Sequence, residues 1–526
     1  MKALGKRIAK AFLAAALIGI SPSVPAQSSA WQALSKEAMW LYQTGQSEAA
    51  LVKAEEALRL TERELGPDSL ATNTNLQLIG MVSVGLGRFD EAERALKRSI
   101  AVIEKARGAE ARGLAMPVSM YAALIFRRGR YAEAEPLIRR ALHLTEQEAG
   151  PDSVLVSDLL GPLAETLERL DRLQEAESLR IRELAIIGRA KGVQSPSYAF
   201  ALVGLARVQT KLGSFAEADA NSLRAMDICN SSLGDSHLTT GMALTERARL
   251  LLATNAWSDA DPLLQRALNI REQFGGPDNP ELLDVLAMAT TAASRLGDMA
   301  RAEKLALSQV AIAEKAFGDT SPLASTLNNL AMVYRAEKRY PEAHALYERA
   351  LLSIEKSLGR DNPEYAKMLN NHAFLHDAQG QLKEAEGLFR QALAISEKSQ
   401  GASHPESARC ASNLCANLAA QHRPAEAEPF CLRALGVWEK VYVGGHPELG
   451  SMALELGKLR AAQGDHAGAE PYYARARSIF EQSVGKDSPE VATVLEAQAA
   501  SLQARGRGAE AAPLLKRAAE IRAAGK

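Results

Sequence analysis

A fixed 42-residue period constrains this chain more than anything else in it. A small residue inside the phrase EAxxLYxRAL recurs at Ala50, Ala92, Ala134, Ala176, Ala218, Ala260, Ala302, Ala343, Ala385, Ala427, Ala469 and Ala511. Ten of the eleven spacings are equal, and the one from Ala302 to Ala343 is a single position shorter. A fixed period of this length means units that stack on their neighbours, because one unit alone cannot bury its apolar faces. The stretch from Ser321 to Ala366 shows the unit most clearly, as helix, tight turn, helix and loop. Twelve units fill nearly all of the 526 residues, which leaves no room for a separate catalytic domain.

Helix starts are marked by a polar residue, a proline and often a glutamate, as in Asn279-Pro280-Glu281, Asn362-Pro363-Glu364, His404-Pro405-Glu406 and Ser488-Pro489-Glu490. The polar side chain can cap, proline suits a first turn, and glutamate complements the helix dipole. These first helices run about 16 residues, as caps and breakers delimit them, and stop at Gly45, Gly87, Gly129, Gly213, Gly297, Gly380, Gly464 and Gly506, with Asp171, Asn255 and Lys338 standing in where glycine is missing. The second helices begin at or just before EAE, which would put Pro136, Pro262, Pro429, Pro471 and Pro513 in their first turns. Gly161-Pro162 is expected to interrupt one first helix. Ala331, Ala373, Cys415 and Gly457 each lie twelve residues before the repeated alanine, so small side chains on both helices permit close antiparallel approach. From the sequence we expect a single solenoid over residues 30–526, without an internal boundary.

The segment 1–26 differs. Lys2, Lys6, Arg7 and Lys10 precede an apolar run from Ala11 to Ile20, and Val24-Pro25-Ala26 offers small residues for a signal peptidase. A run of about ten apolar residues is short of the roughly twenty that span a bilayer, so we expect a leader cleaved after Ala26 and an exported protein, periplasmic or secreted, without membrane insertion after cleavage. Net charge is −1, or −5 once the four basic residues of the leader are gone. That balance gives no electrostatic footprint for nucleic acid.

A period near 42 also fits HEAT or armadillo arrays. The phrases NNLAMVYRAEKRYPEAHALYERALLSIEKSLGRDNP and NNHAFLHDAQGQLKEAEGLFRQALAISEKSQGASHPE decide between them. They closely resemble the tetratricopeptide repeats of kinesin light chains and of bacterial proteins sharing that 42-residue form, most strongly over 320–490. The resemblance implies an all-α fold, an α-solenoid in which about twelve antiparallel helix pairs wind into a right-handed superhelix. It also implies a concave groove lined by first helices, and a role in binding a peptide or protein partner.

Asn329, Asn371 and Asn413 each stand fourteen residues before the repeated alanine, in consecutive first helices. On the face that the resemblance turns to the groove, such a row of carboxamides can donate to one main-chain group of an extended peptide and accept from another. Lys367 and Arg409 would add an anion-preferring edge and Met332 and Phe374 apolar contact, while Asn328 and Asn370 are expected to pack or cap within the stack. His372 and His376 are four apart beside Asp377. Without an identifiable third ligand they read as interhelical hydrogen-bonding groups, and no metal or cofactor is expected. Cys415 and Cys431 flank the repeated Ala427; an oxidising compartment would permit a disulfide, but two buried free thiols are the expectation. No phosphate-binding loop, nucleophile elbow or paired-cysteine metal motif occurs. The function expected is therefore a non-enzymatic interaction scaffold, with structural self-assembly in the cell envelope as the second reading.

Overall fold

A computed structural model describes residues 30–442 and 445–524; the leader lies outside the described residues. All regular structure among them is helical. By packing, the described residues divide into two compact units that meet between Val193 and Gln194, where the sequence gives no linker to mark a boundary. The first unit holds four helix pairs: α1 (Ala30–Gln43) with α2 (Ser47–Leu65), α3 (Leu70–Gly85) with α4 (Phe89–Arg107), α5 (Ala115–Arg127) with α6 (Tyr131–Ala149), and α7 (Val154–Arg169) with α8 (Leu173–Lys191).

The second unit holds eight. They are α9 (Pro196–Leu212) with α10 (Phe215–Ser232), α11 (Leu238–Ala253) with α12 (Trp257–Gly275), and α13 (Leu283–Arg295) with α14 (Met299–Phe317), the last pair preceded by a 3-10 turn, Pro280–Leu282. Next come α15 (Ser321–Ala336) with α16 (Tyr340–Leu358), and α17 (Pro363–Ala378) with α18 (Leu382–Gln400). The last three are α19 (Pro405–Ala420) with α20 (Pro424–Val441), α21 (Pro447–Ala462) with α22 (His466–Ser483), and α23 (Pro489–Ala504) with α24 (Gly508–Ala524). Within each unit every pair also packs on the next, which is the architecture of an α-solenoid.

The turn chemistry follows the sequence. The glycines that end first helices have positive φ, and so do their substitutes Asp171, Asn255 and Lys338, joined by His422. Asn279, Asn362, His404 and Ser488 all accept a main-chain N–H at the helix start. Two expectations fail. Pro136, Pro262, Pro429, Pro471 and Pro513 lie inside their helices, because each second helix begins several residues before its proline, ahead of the EAE phrase. Gly161-Pro162 does not interrupt α7, which runs unbroken from Val154 to Arg169.

Gly161 has a packing reason instead. A Cβ there would lie 3.0 Å from Glu183 Oε1 and 3.1 Å from Arg180 Nη1, so the glycine makes room for a buried ion pair.

Several pairs are sealed along one seam, where the residue twelve before the repeated alanine faces the one four after it. In these the two are complementary in size or bonded. A Cβ on Gly80 would meet Leu96 at 2.7 Å, and one on Gly457 would meet Tyr473 at 2.6 Å; Ala331 and Ala373 are buried with Tyr347 and Phe389 in the same clusters. At Cys415 and Cys431 the seam holds a disulfide, with Cα atoms 5.6 Å apart. This corrects the expectation of two free thiols: separated by 16 in sequence across an antiparallel pair, they occupy the two positions that face each other at Gly80/Leu96 and Gly457/Tyr473 as well.

The EAE phrase, read from the sequence as a helix start, also ties repeats together. Arg130, Arg172, Arg339, Arg423 and Arg507 each pair with a glutamate three residues on, and with the second glutamate of the preceding repeat's phrase or its equivalent: Glu93, Glu135, Glu303, Glu386 and Glu470, at 2.7–3.3 Å.

The second unit curls far enough to touch itself. Asn255, at the turn after α11, donates to Glu490 at the start of α23, 3.1 Å away. The turn glycine Gly213 lies against His446, whose Cδ2 would be 3.0 Å from a Cβ there. His446 stacks on Tyr442, with ring centroids 3.6 Å apart, and caps α21 by accepting the Glu448 N–H on Nδ1 at 3.2 Å. Both contacts join positions six repeats apart.

Candidate functional site

The asparagines predicted to line a groove come from three consecutive first helices, α15, α17 and α19. All three are half-buried. Asn371 Nδ2 donates to Asn328 Oδ1 at 2.8 Å, and Asn413 Nδ2 donates to Asn370 Oδ1 at 2.9 Å. Each link spans one repeat. Asn328 and Asn370 are thus the acceptors that tie successive first helices together, as their expected packing role implies, and the groove candidates are the donors.

Asn329 differs, because its Nδ2 turns back to the fully buried Gln309 Oε1 on α14 at 2.9 Å, and Gln309 in turn donates to Thr290 Oγ1 at 2.8 Å. The row is therefore a network within the stack as well as a surface. Among the described residues no donor reaches Asn371 Oδ1 or Asn413 Oδ1, and each amide keeps a second N–H.

The flanking residues separate into two groups. Lys367 is exposed and held only loosely, 3.9 Å from Glu364. Met332 is 42% exposed. Arg409 is committed elsewhere: its Nε donates to Glu406 Oε2 at 3.1 Å, its Nη2 also meets that carboxylate, and its charge opposes the upward push that burial gives the Glu448 carboxyl. Phe374 packs edge-on against Phe389, with ring centroids 5.3 Å apart, so it belongs to the seam of its own helix pair. Sequence spacing alone placed Arg409 and Phe374 beside Lys367 and Met332; the structure keeps only the latter two as open surface. Gln309 was the partner missed, since a glutamine replacing the second alanine of the phrase gives no signal until its neighbour across the repeat is known.

The tetratricopeptide repeat model matches residues 32–105, 115–179, 155–231, 197–273, 281–351, 322–398, 406–470 and 448–524. The chain belongs to the tetratricopeptide repeat family. A search of curated proteins gave no match. Among solved structures the chain is similar to BtubC (BKLC) from P. vanneervenii, at 22% identity over 43% of this chain and 89% of that one, with a TM-score of 0.39. It is also similar to the nearly identical TPR-like repeats of a Podosopora anserina protein assigned as a kinesin light chain, at 23% identity over 38% and 96%, with a TM-score of 0.35. Among the described residues of this tetratricopeptide array, no helix is long and apolar enough to cross a membrane.

Proposed function

We propose that this tetratricopeptide solenoid is an exported, non-enzymatic scaffold that holds an extended peptide or protein segment against α15, α17 and α19. The observation that supports it is the row of half-buried amides on consecutive first helices, with Asn371 Oδ1 and Asn413 Oδ1 left without a donor. Such acceptors, one repeat apart, suit the N–H groups of an extended chain whatever its side chains. Lys367 and Met332 add a positive and an apolar contact beside them.

The test is crosslinking and pull-down from the cell envelope with the mature chain beside Asn371→Ala/Asn413→Ala. Partner capture should be lost while helical circular dichroism is kept, and stability should fall by no more than the ~1 kcal/mol that each neutral hydrogen bond contributes. Loss of folding together with capture would make the amides structural only. Export is tested separately, by whether the envelope fraction holds a chain starting at Gln27.

Self-association is the second reading, supported by Trp40 and Val52, which are 58% and 51% exposed on the first helix pair. Light scattering that shows a monomer across the accessible concentration range would remove it.

A further inference from the structure

At the junction between α16 and α17 the interrepeat ion pair is replaced. The position that holds the pairing glutamate elsewhere is His344, and the position of the arginine one repeat on is Gln381. In their place three imidazoles converge. His372 and His376 lie one turn apart on α17, His344 comes from α16, and one ring nitrogen from each lies within 4.8 Å of the others. His344 Nδ1 and His372 Nε2 are 2.9 Å apart and share one hydrogen bond. Ring centroids are 5.1 Å apart for His344 and His372, 4.8 Å for His344 and His376, and 5.1 Å for His372 and His376. The third ligand that could not be found in the sequence lies 28 residues away in the preceding repeat.

We propose that His344, His372 and His376 form a binding site for a divalent transition metal, with Zn2+ the best fit, that clamps two consecutive repeats together. Three neutral imidazoles are a donor set that suits zinc, copper and nickel, and in tetrahedral coordination at about 2.0–2.1 Å the nitrogens would stand about 3.4 Å apart. Ring rotation brings them there.

The atoms around the rings select the ligating nitrogens. His376 Nδ1 is 2.7 Å from Gln381 Oε1, which accepts its proton and leaves the Nε2 lone pair for the metal. His344 Nε2 accepts an N–H from Gln379 Nε2 at 2.7 Å, so Nδ1 holds the proton shared with His372 Nε2. For Nδ1 to bind, that proton moves to Nε2 and the Gln379 amide turns its oxygen inward to accept it. The Gln381 contact is the outer-shell support that metal-bound histidines use. Tyr347 stacks on His372, with centroids 5.2 Å apart and planes 20° apart, and so fixes that ring. The neighbouring positive charge is turned aside, since Arg335 lies over the Phe374 ring. Glu348 and Asp377 are the nearby carboxylates, close enough to act on His344 and His376 respectively. His344 and His376 are half-buried and His372 is buried, so a metal reaches the site from solvent and keeps a fourth position for water or a partner's side chain.

The test uses the full mature chain, stripped with chelator and desalted. Titration with Zn2+ should give one equivalent by calorimetry and raise Tm, and Co2+ should give the visible spectrum of a tetrahedral nitrogen-ligated ion. Histidine to glutamine changes at His344 or His376 should abolish both signals with helicity unchanged. Gln381→Leu should weaken binding by about 10–100-fold, the usual cost of losing an outer-shell partner. His143→Gln, at an exposed histidine on α6, should change nothing. No binding at one equivalent, or Zn2+ affinity kept in His344→Gln, would overturn the assignment.

Discussion

The same seam is filled in opposite ways in α7–α8 and in α19–α20. In the second unit Cys415 and Cys431 close it covalently. In the first, Ala164 faces Arg180, a fully enclosed guanidinium 2.9 Å from Glu183 and 3.7 Å from Glu168, all three being 3–4% exposed. In no other repeat is the slot of Arg180 charged, holding instead an aliphatic or aromatic residue, an alanine, Ser222 or Cys431, and that of Glu183 is usually alanine. Removing one member of a buried pair leaves an uncompensated charge, whereas replacing the whole pair by apolar groups is often neutral or better. The seam therefore tolerates very different chemistry so long as the groups packed around it change together.

Four measurements would break or sharpen that comparison. Arg180→Met alone should cost about 3–5 kcal/mol in urea unfolding, while Gly161→Ala/Glu168→Leu/Arg180→Leu/Glu183→Ala, which removes both buried carboxylates with the guanidinium, should recover all of it or gain about 1–4 kcal/mol. If the single change is silent, the ion pair does not hold the seam. Reduction of Cys415–Cys431 should lower stability by about 3 kcal/mol, the chain-entropy value for a loop of about 15 residues. Cys415→Gly/Cys431→Tyr, which copies Gly457 and Tyr473, should then make stability insensitive to reductant.

Gly457→Ala tests the size rule directly. Its new methyl would meet Tyr473 at 2.6 Å, and overpacking of that kind costs about 1–3 kcal/mol; an unchanged Tm would show that the ring can step aside.

The smallest effect is expected where repeats are joined by charge. Burial would raise the Glu386 carboxyl, but hydrogen bonds from Arg390, Gln421 and Arg423 outweigh it and hold the group at about 2 against an ordinary 4.5. Because the folded value is depressed, this contribution is present above pH 4.5 and is lost as pH falls toward 2. Glu386→Gln should cost about 0.2–1 kcal/mol at neutral pH and flatten the acid limb of the stability profile.

The architecture was legible because a strict repeat of this length leaves a chain few ways to bury its apolar faces, and because the caps and turn residues are local signals. Asp171, Asn255 and Lys338 were recognisable as glycine substitutes for that reason, and their φ values of 56°, 61° and 61° bear it out. What stayed hidden depends on partners in another repeat or on the facing helix. Gly161 looked like a break because its use is the room it leaves for Arg180 and Glu183 on α8. Arg409 looked like an open cation because the carboxylate that takes it, Glu406, also reads as a helix-start residue. Two histidines looked like a pair because their third member stands in the slot of an EAE glutamate.

The two contacts that the second unit makes with itself, Asn255 with Glu490 and Gly213 with His446, give the repeat number a meaning it lacks in an open array. A screw whose lead equals six units meshes only if the count is kept. Inserting or deleting one unit between α12 and α20 would bring a different turn under the start of α21, and another under α23. Both threads would then strip at once. Duplication of a unit, the ordinary route by which solenoids lengthen, is neutral at the ends of this one and disruptive within it.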